Sequence, residues 1–189
     1  MSAVAAIEVL ELWFSDRARA LWFDKDPVFD DEIRQRFGPV ISAAASGALD
    51  AWMADGDGAL ALTIVLDQFP RNIHRGSARA FEHDSRARDV ADRAIQRQLD
   101  LAVPLDRRVF FYLPFQHSES LADQDRSVEL FSRWAKQHPG ATADDEMIYV
   151  LRHHEIIRRF GRFPHRNAAL GRGSTPAELA FLAEPLSSF

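Results

Sequence analysis

Ionisable and amide side chains gather in three short phrases, each built around a proline. The first is Asp67-Gln68-Phe69-Pro70-Arg71-Asn72, followed by Arg75-Gly76-Ser77. The second is Leu113-Pro114-Phe115-Gln116-His117-Ser118-Glu119. The third is Phe160-Gly161-Arg162-Phe163-Pro164-His165-Arg166-Asn167, followed by Arg172-Gly173-Ser174, and it echoes the first. Histidine titrates near neutral pH and a carboxylate can orient it, so His117 with Glu119 has the types needed for general acid-base work. The same pair would suit a metal if it converged with His153 or His165. A spacing of i, i+2 does not match the i, i+4 histidines of helical zinc proteases, and no nucleophile elbow, phosphate loop or dinucleotide fingerprint occurs. No metal and no cofactor are therefore expected.

Arginine suggests a different chemistry. Of the 23 basic residues only Lys25 and Lys136 are lysines, leaving 21 arginines, the side chain suited to bidentate recognition of carboxylate or phosphate. From Arg152 to Arg166, five arginines meet one acid, Glu155, a local formal charge of +4 in a chain of net charge −5. One reading is an anion site formed by Arg162, Arg166 and Arg71, with Asp67, Asn72, His165 and Asn167 beside them. The other is structural: the arginines neutralise Asp144, Asp145 and Glu146 or hold the carbonyls at helix ends. Codon usage in a GC-rich genome would also raise arginine and alanine together.

The elements that must position these residues read as helices throughout. Periodicity predicts helices over 5–14, 29–37, 39–47 and 58–68, with Gly38-Pro39 closing the second and Phe69-Pro70 ending the fourth. Asp84 is the predicted N-cap of a helix over 84–101, and Pro104 opens one that runs to Leu113-Pro114. Helices over 120–137 and 143–160 come next, the latter entered through Thr142 and closed by Gly161. The last begins at Thr175-Pro176-Ala177-Glu178, a capping box with proline at the first helical position. The apolar run over 59–66 suits a buried strand or a buried helix, and without a partner strand nearby it reads as a central helix. Because proline disfavours helix at the preceding residue, Phe69 and Phe163 are expected to be extended and to anchor their turns in the core, with Asn72 and Asn167 capping the next element. The two Phe-Pro phrases would face each other across a pseudo-twofold if they mark a duplication.

On the helix over 143–160, Tyr149, Val150, Ile156, Ile157 and Phe160 fall within about 120° at 100° per residue, and His153 sits inside that arc. A buried imidazole must find partners for its ring nitrogens, because an unpaired polar group costs on the order of 1–3 kcal/mol. His154 is expected in solvent, and Glu155 is expected to pair with Arg159 at i, i+4.

Composition bounds the rest. A chain of 189 residues with 47 % hydrophobic and 27 % charged residues reads as one all-α domain over 1–189, eight to ten helices in antiparallel pairs. No apolar run spans a bilayer, and Glu8 and Glu11 interrupt an N-terminus that a signal peptide would keep apolar. The lack of cysteine fits a reducing compartment, so a cytoplasmic location is expected. The acidic balance argues against a general nucleic-acid surface.

The three phrases, taken with Trp13-Phe14, Trp22-Phe23, Phe29-Asp30, Arg36-Phe37-Gly38, Gly171-Arg172 and Ser174-Thr175-Pro176, resemble the bacterial domain of unknown function 924 family over essentially the whole chain. The resemblance implies a fold similar to tetratricopeptide-repeat superhelices without their regular repeat, and it implies no activity. Its pattern is polar at Asp67, Arg71, Asn72, His117, Glu119, His153, Glu155, Arg162, His165, Arg166 and Asn167. Gln116 stands where the pattern often has methionine.

Three functions remain open on the sequence. A binding module would hold the carboxylate or phosphate of a small molecule or peptide through Arg71, Arg162 and Arg166. An enzyme would use His117 or His153 as general acid or base, oriented by Glu119 or Asp67, on an anionic substrate. A structural polar network would leave a protein-interaction surface elsewhere. The oligomeric state is not legible.

Overall fold

Four capping side chains fix where helices begin. Ser15, Asp26, Asp55 and Thr175 each accept a hydrogen bond from the backbone N–H three residues on, satisfying a donor that the helix start leaves open. The computed structural model describes residues 5–22 and 24–188, without the side chains of residues 141 and 142. Phe23, the stretch from Met1 to Val4 and the predicted entry through the Thr142 side chain lie outside the described residues.

Among the described residues the fold is all-α, with helices α1 (Ala6–Trp13), α2 (Asp16–Arg19), α3 (Pro27–Ala45), α4 (Gly56–Ile73) and α5 (Asp84–Gln96). After these come α6 (Val109–Gln116), α7 (Leu121–Gln137), α8 (Ala141–Phe160) and α9 (Pro176–Leu182), with short 3-10 turns between them. No strand occurs among the described residues, and no helix there is long and apolar enough to cross a membrane. The chain divides into two compact units, residues 1–75 with 79–111, and residues 76–78 with 112–189.

In the first unit α4 is the axis, and α1, α3 and α5 all pack against it. The apolar run from Ala59 to Leu66 is helical and fully buried, as a helix enclosed by others must be. Trp13, Phe29, Phe37, Phe69 and Phe110 fill the space around it, with the Trp13 ring 5.7 Å from Phe69 and 5.9 Å from Phe110. Each such ring contributes roughly 1.5–3 kcal/mol by leaving water. Gly58 is required where α4 starts, because a Cβ there would collide with the Trp52 carbonyl. Asn72 at the end of α4 bonds Asp30 at the start of α3, and Arg71 bonds Asp84 at the start of α5, so neighbouring helices run antiparallel.

Proline placement departs from the sequence reading. Pro39, Pro70 and Pro114 all lie inside helices: α3 is one helix where two were predicted, and α4 and α6 continue past their prolines. Phe69 is therefore helical, Asn72 is no cap, and only the second Phe-Pro phrase shows the expected break, with Phe163 extended at φ −87° and ψ 108°. The reason in α3 is local and tertiary together. Gly38 has no Cβ to clash with the Pro39 ring, and Phe29, Ile33, Phe37, Ile41 and Ala44 form one buried stripe that a break would misalign. Asp84 also opens α5 at its first helical residue, with His83 at the N-cap, and α5 stops at Gln96 where Gln98 turns left-handed at φ 58°.

In the second unit α7 and α8 form an antiparallel hairpin, shown by the His154 to Asp125 hydrogen bond of 2.8 Å between the end of one and the start of the other. The buried face of α8 carries Val150, His153, Ile156 and Ile157, and the core continues through Phe163 and Phe181. Tyr149, expected in that stripe, is 43 % exposed. Glu155 takes Arg152 as its partner, at 2.9 Å, in place of the expected Arg159. Gly161 ends α8 in the left-handed region at φ 69°, and the predicted capping box at Thr175 and Glu178 is present in both directions.

Candidate functional site

The predicted site residues fall into two groups, one in each unit. In the first, Asp67 is fully buried on α4 and Arg71, one turn on, lies 3.3 Å from its carboxylate. Arg71 grips Asp84 through both terminal nitrogens at 2.8 and 2.9 Å, donates to the Asp67 carbonyl, and stacks over Phe81. Burial works against the Arg71 charge, and the Asp67 and Asp84 carboxylates outweigh it, so its pKa stands above the ordinary arginine value. Asn72 shares Asp30 with Arg75. The two groups of contacts tie the end of α4 to the starts of α5 and α3.

The second group is built by the end of α6, the buried face of α8 and the turn after α8. His153 is 4 % exposed, and its Nδ1 lies 2.8 Å from the Tyr149 carbonyl, the geometry of an N–H donating one helical turn back. That assignment leaves the lone pair on Nε2. The Gln116 amide nitrogen lies 3.2 Å from the same Nδ1. Burial pushes the His153 imidazole down to about 3, with the nearby charges acting in the same direction and the Tyr149 carbonyl against it, so the ring is neutral at pH 7.

The His117 ring is 6.4 Å from His153, and the Phe163 ring lies 5.5 Å from His153 and 5.5 Å from His165. Arg166, 6 % exposed, lies 4.4 Å over the Phe163 ring and donates from Nη1 to the His117 carbonyl. His165 is held down to about 4, first by burial and then by Arg166, with Glu119 opposing and His117 and Arg172 adding to the depression. The structure thus brings His153, His165 and Arg166 together around the Phe163 ring, with His117 beside His153.

Backbone geometry explains how. Gly161 stops α8, Phe163 turns extended, and Pro164, with its fixed φ, opens a 3-10 turn over Pro164–Arg166 that sets His165 and Arg166 against the Phe163 ring. Glu119 clamps this turn: it accepts from the Phe163 N–H at 2.8 Å and from Arg172 at 2.7 and 2.9 Å. These donors hold the Glu119 carboxyl below its usual range even though burial acts the other way. Arg172 also donates to Asn167, whose amide donates to Ser174. Arg162 grips Glu178 at 2.6 and 2.8 Å and, with the Thr175 N–H, holds that carboxyl down to about 2.

Two contributors escape the sequence reading. Arg172 stood in the echoed phrase, but nothing local showed that it would reach Glu119. Gln124, fully buried on α7, donates to the carbonyls of Gln116 and Ser118 at 2.7 Å each and so fixes the turn carrying His117. A glutamine one turn into an amphipathic helix carries no signal that it points inward. Among the described residues no group of three His, Asp or Glu side chains is arranged as metal ligands.

The chain is 42 % identical to a protein of unknown function from Agrobacterium tumefaciens whose solved structure superposes with a TM-score of 0.85 over 94 % of this chain and 96 % of that one. No curated protein matches the sequence. The model of a family described as bacterial protein of unknown function, DUF924, matches residues 9–186, and the chain belongs to that family.

Proposed function

We propose that the second unit binds a small anion, the carboxylate or phosphate of a metabolite or of a peptide, at His117, His153, His165 and Arg166. The observation that carries this reading is the buried Arg166 guanidinium, stacked on Phe163 beside two imidazoles that stay neutral at pH 7. The charges acting on His165 depress its pKa on balance, which is the signature of a positive potential where an anion would rest. Arg71, Arg162 and Arg172 each spend two nitrogens on a carboxylate of this chain, so their part in this reading is to hold the scaffold.

An enzyme reading rests on the 6.4 Å approach of His117 and His153. An imidazole with a pKa near 3 is a weak base at pH 7 and carries no proton to give, so His153 suits hydrogen bonding to a ligand better than proton transfer.

The test is a thermal-shift and calorimetric screen of carboxylated and phosphorylated metabolites. A ligand at 100 times its dissociation constant adds about 2.7 kcal/mol of stability to the wild type and much less to Arg166→Gln. Affinity should also rise as pH falls, because an anion favours the imidazolium form. No stabilisation by any anion, or equal stabilisation of Arg166→Gln, overturns the reading.

A further inference from the structure

The outward face of α8 is unusual for an exposed helix. Asp144, Ile148, Leu151, Glu155 and Arg158 fall within about 80° of one another at 100° per residue, directly opposite His153 and the buried stripe. Ile148 is 55 % exposed and Leu151 51 %. Charges of opposite sign bracket the apolar centre of this face, Asp144 before it and Arg158 beyond it, while the one other charge within the arc, Glu155, is paired with Arg152. Within one chain these groups cannot neutralise each other, since 14 residues of helix separate Asp144 from Arg158, about 21 Å at 1.5 Å per residue.

A second copy removes that mismatch. Asp144 lies seven residues before Leu151 and Arg158 seven after it. Two antiparallel copies of α8 related by a twofold axis at Leu151 therefore set Asp144 of each against Arg158 of the other, with Ile148 and Leu151 packed between. Glu155, which shares the face, is held by Arg152 at 2.9 Å and offers its methylenes to the apolar centre. We propose that this face is the contact of a homodimer, a self-complementary helix pair with an apolar centre and charged ends. A single helix pair lies at the small end of stable interfaces, so the association is a concentration-dependent one.

Sedimentation velocity on the full chain tests this. The wild type is expected to shift from monomer to dimer between about 1 μM and 1 mM, with weaker association at high salt. Leu151→Glu places like charges on the axis and should leave a monomer at every concentration. Asp144→Arg and Arg158→Glu should each weaken self-association at least tenfold, while an equimolar mixture of the two variants forms a mixed dimer, because one chain then carries only bases at these positions and the other only acids. All three residues are exposed, so circular dichroism should confirm unchanged folding. A wild type that stays monomeric at 1 mM overturns the proposal. So does a dimer that tolerates Leu151→Glu, or a mixture of the two charge variants that fails to associate.

Discussion

Arg172 meets Glu119 fork to fork across 53 residues of sequence, with Nη1 2.7 Å from one carboxylate oxygen and Nη2 2.9 Å from the other. The same carboxylate accepts the Phe163 N–H, so one side chain joins the turn after α6 to the turn after α8. Removing the guanidinium leaves a half-buried carboxylate with one donor in place of three. Arg172→Met should cost about 1–3 kcal/mol in urea unfolding and should perturb the His165 imidazole resonances as the Phe163 turn loosens. A variant of wild-type stability with an unmoved His165 would show that the clamp does not position the turn.

The first unit has a more deeply buried network, and its response should be larger. Arg71 stands between a fully buried Asp67 and a mostly buried Asp84. Arg71→Met removes the cation that both carboxylates share and should destabilise by about 3–5 kcal/mol, with Asp67→Asn in the same direction. Unfolding midpoints in urea, with unchanged m-values, measure it. A loss below about 1 kcal/mol would mean that water reaches the network and screens it.

Helices were legible from apolar period and capping residues, and the Thr175 box was legible to the residue. The buried place of His153 was legible too, because its neighbours on α8 fix the face. What was not legible depends on contacts remote in sequence. Proline at 39, 70 and 114 reads locally as a stop, yet a helix continues when the residues beyond it bury the same stripe, as Phe37 and Ile41 do on either side of Pro39. Likewise Arg162 and Arg71 read as available cations until the fold brings Glu178 and Asp84 to them. The charge excess on α8 was visible in sequence, but only the helix face sets Asp144 and Arg158 at equal distances on either side of Leu151.

The account of α3 makes a sign-specific prediction. Apart from its chain neighbours, a Cβ on Gly38 meets nothing within 4 Å, and in an ordinary helix alanine gains about 1 kcal/mol over glycine. Next to Pro39 that gain is offset by the clash between a Cβ and the proline ring. Gly38→Ala should therefore be neutral or destabilising in the wild type and stabilising by up to about 1 kcal/mol in a Pro39→Ala background. Equal effects in the two backgrounds would remove the explanation for how α3 passes its proline.

The imidazoles predict the pH dependence. Unfolded His153 and His165 take up protons near 6.5, whereas in the fold the pKa values fall to about 3 and about 4. Groups depressed in this way contribute stability that is fully present above pH 6.5 and is lost as pH falls toward 4 and then 3. Glu119 and Glu178, also depressed, act in a lower window, beginning only below their ordinary value of 4.5. Stability should thus decline from about pH 6.5 downward, before Glu119 or Glu178 responds, and His165→Gln should flatten the upper part of that decline. In a histidine titration by NMR, at least two of the seven imidazoles should keep their neutral chemical shifts at about pH 5. If all seven titrate between about pH 6 and 7, the Phe163 cluster is open to water and the positive, enclosed site argued for it does not exist.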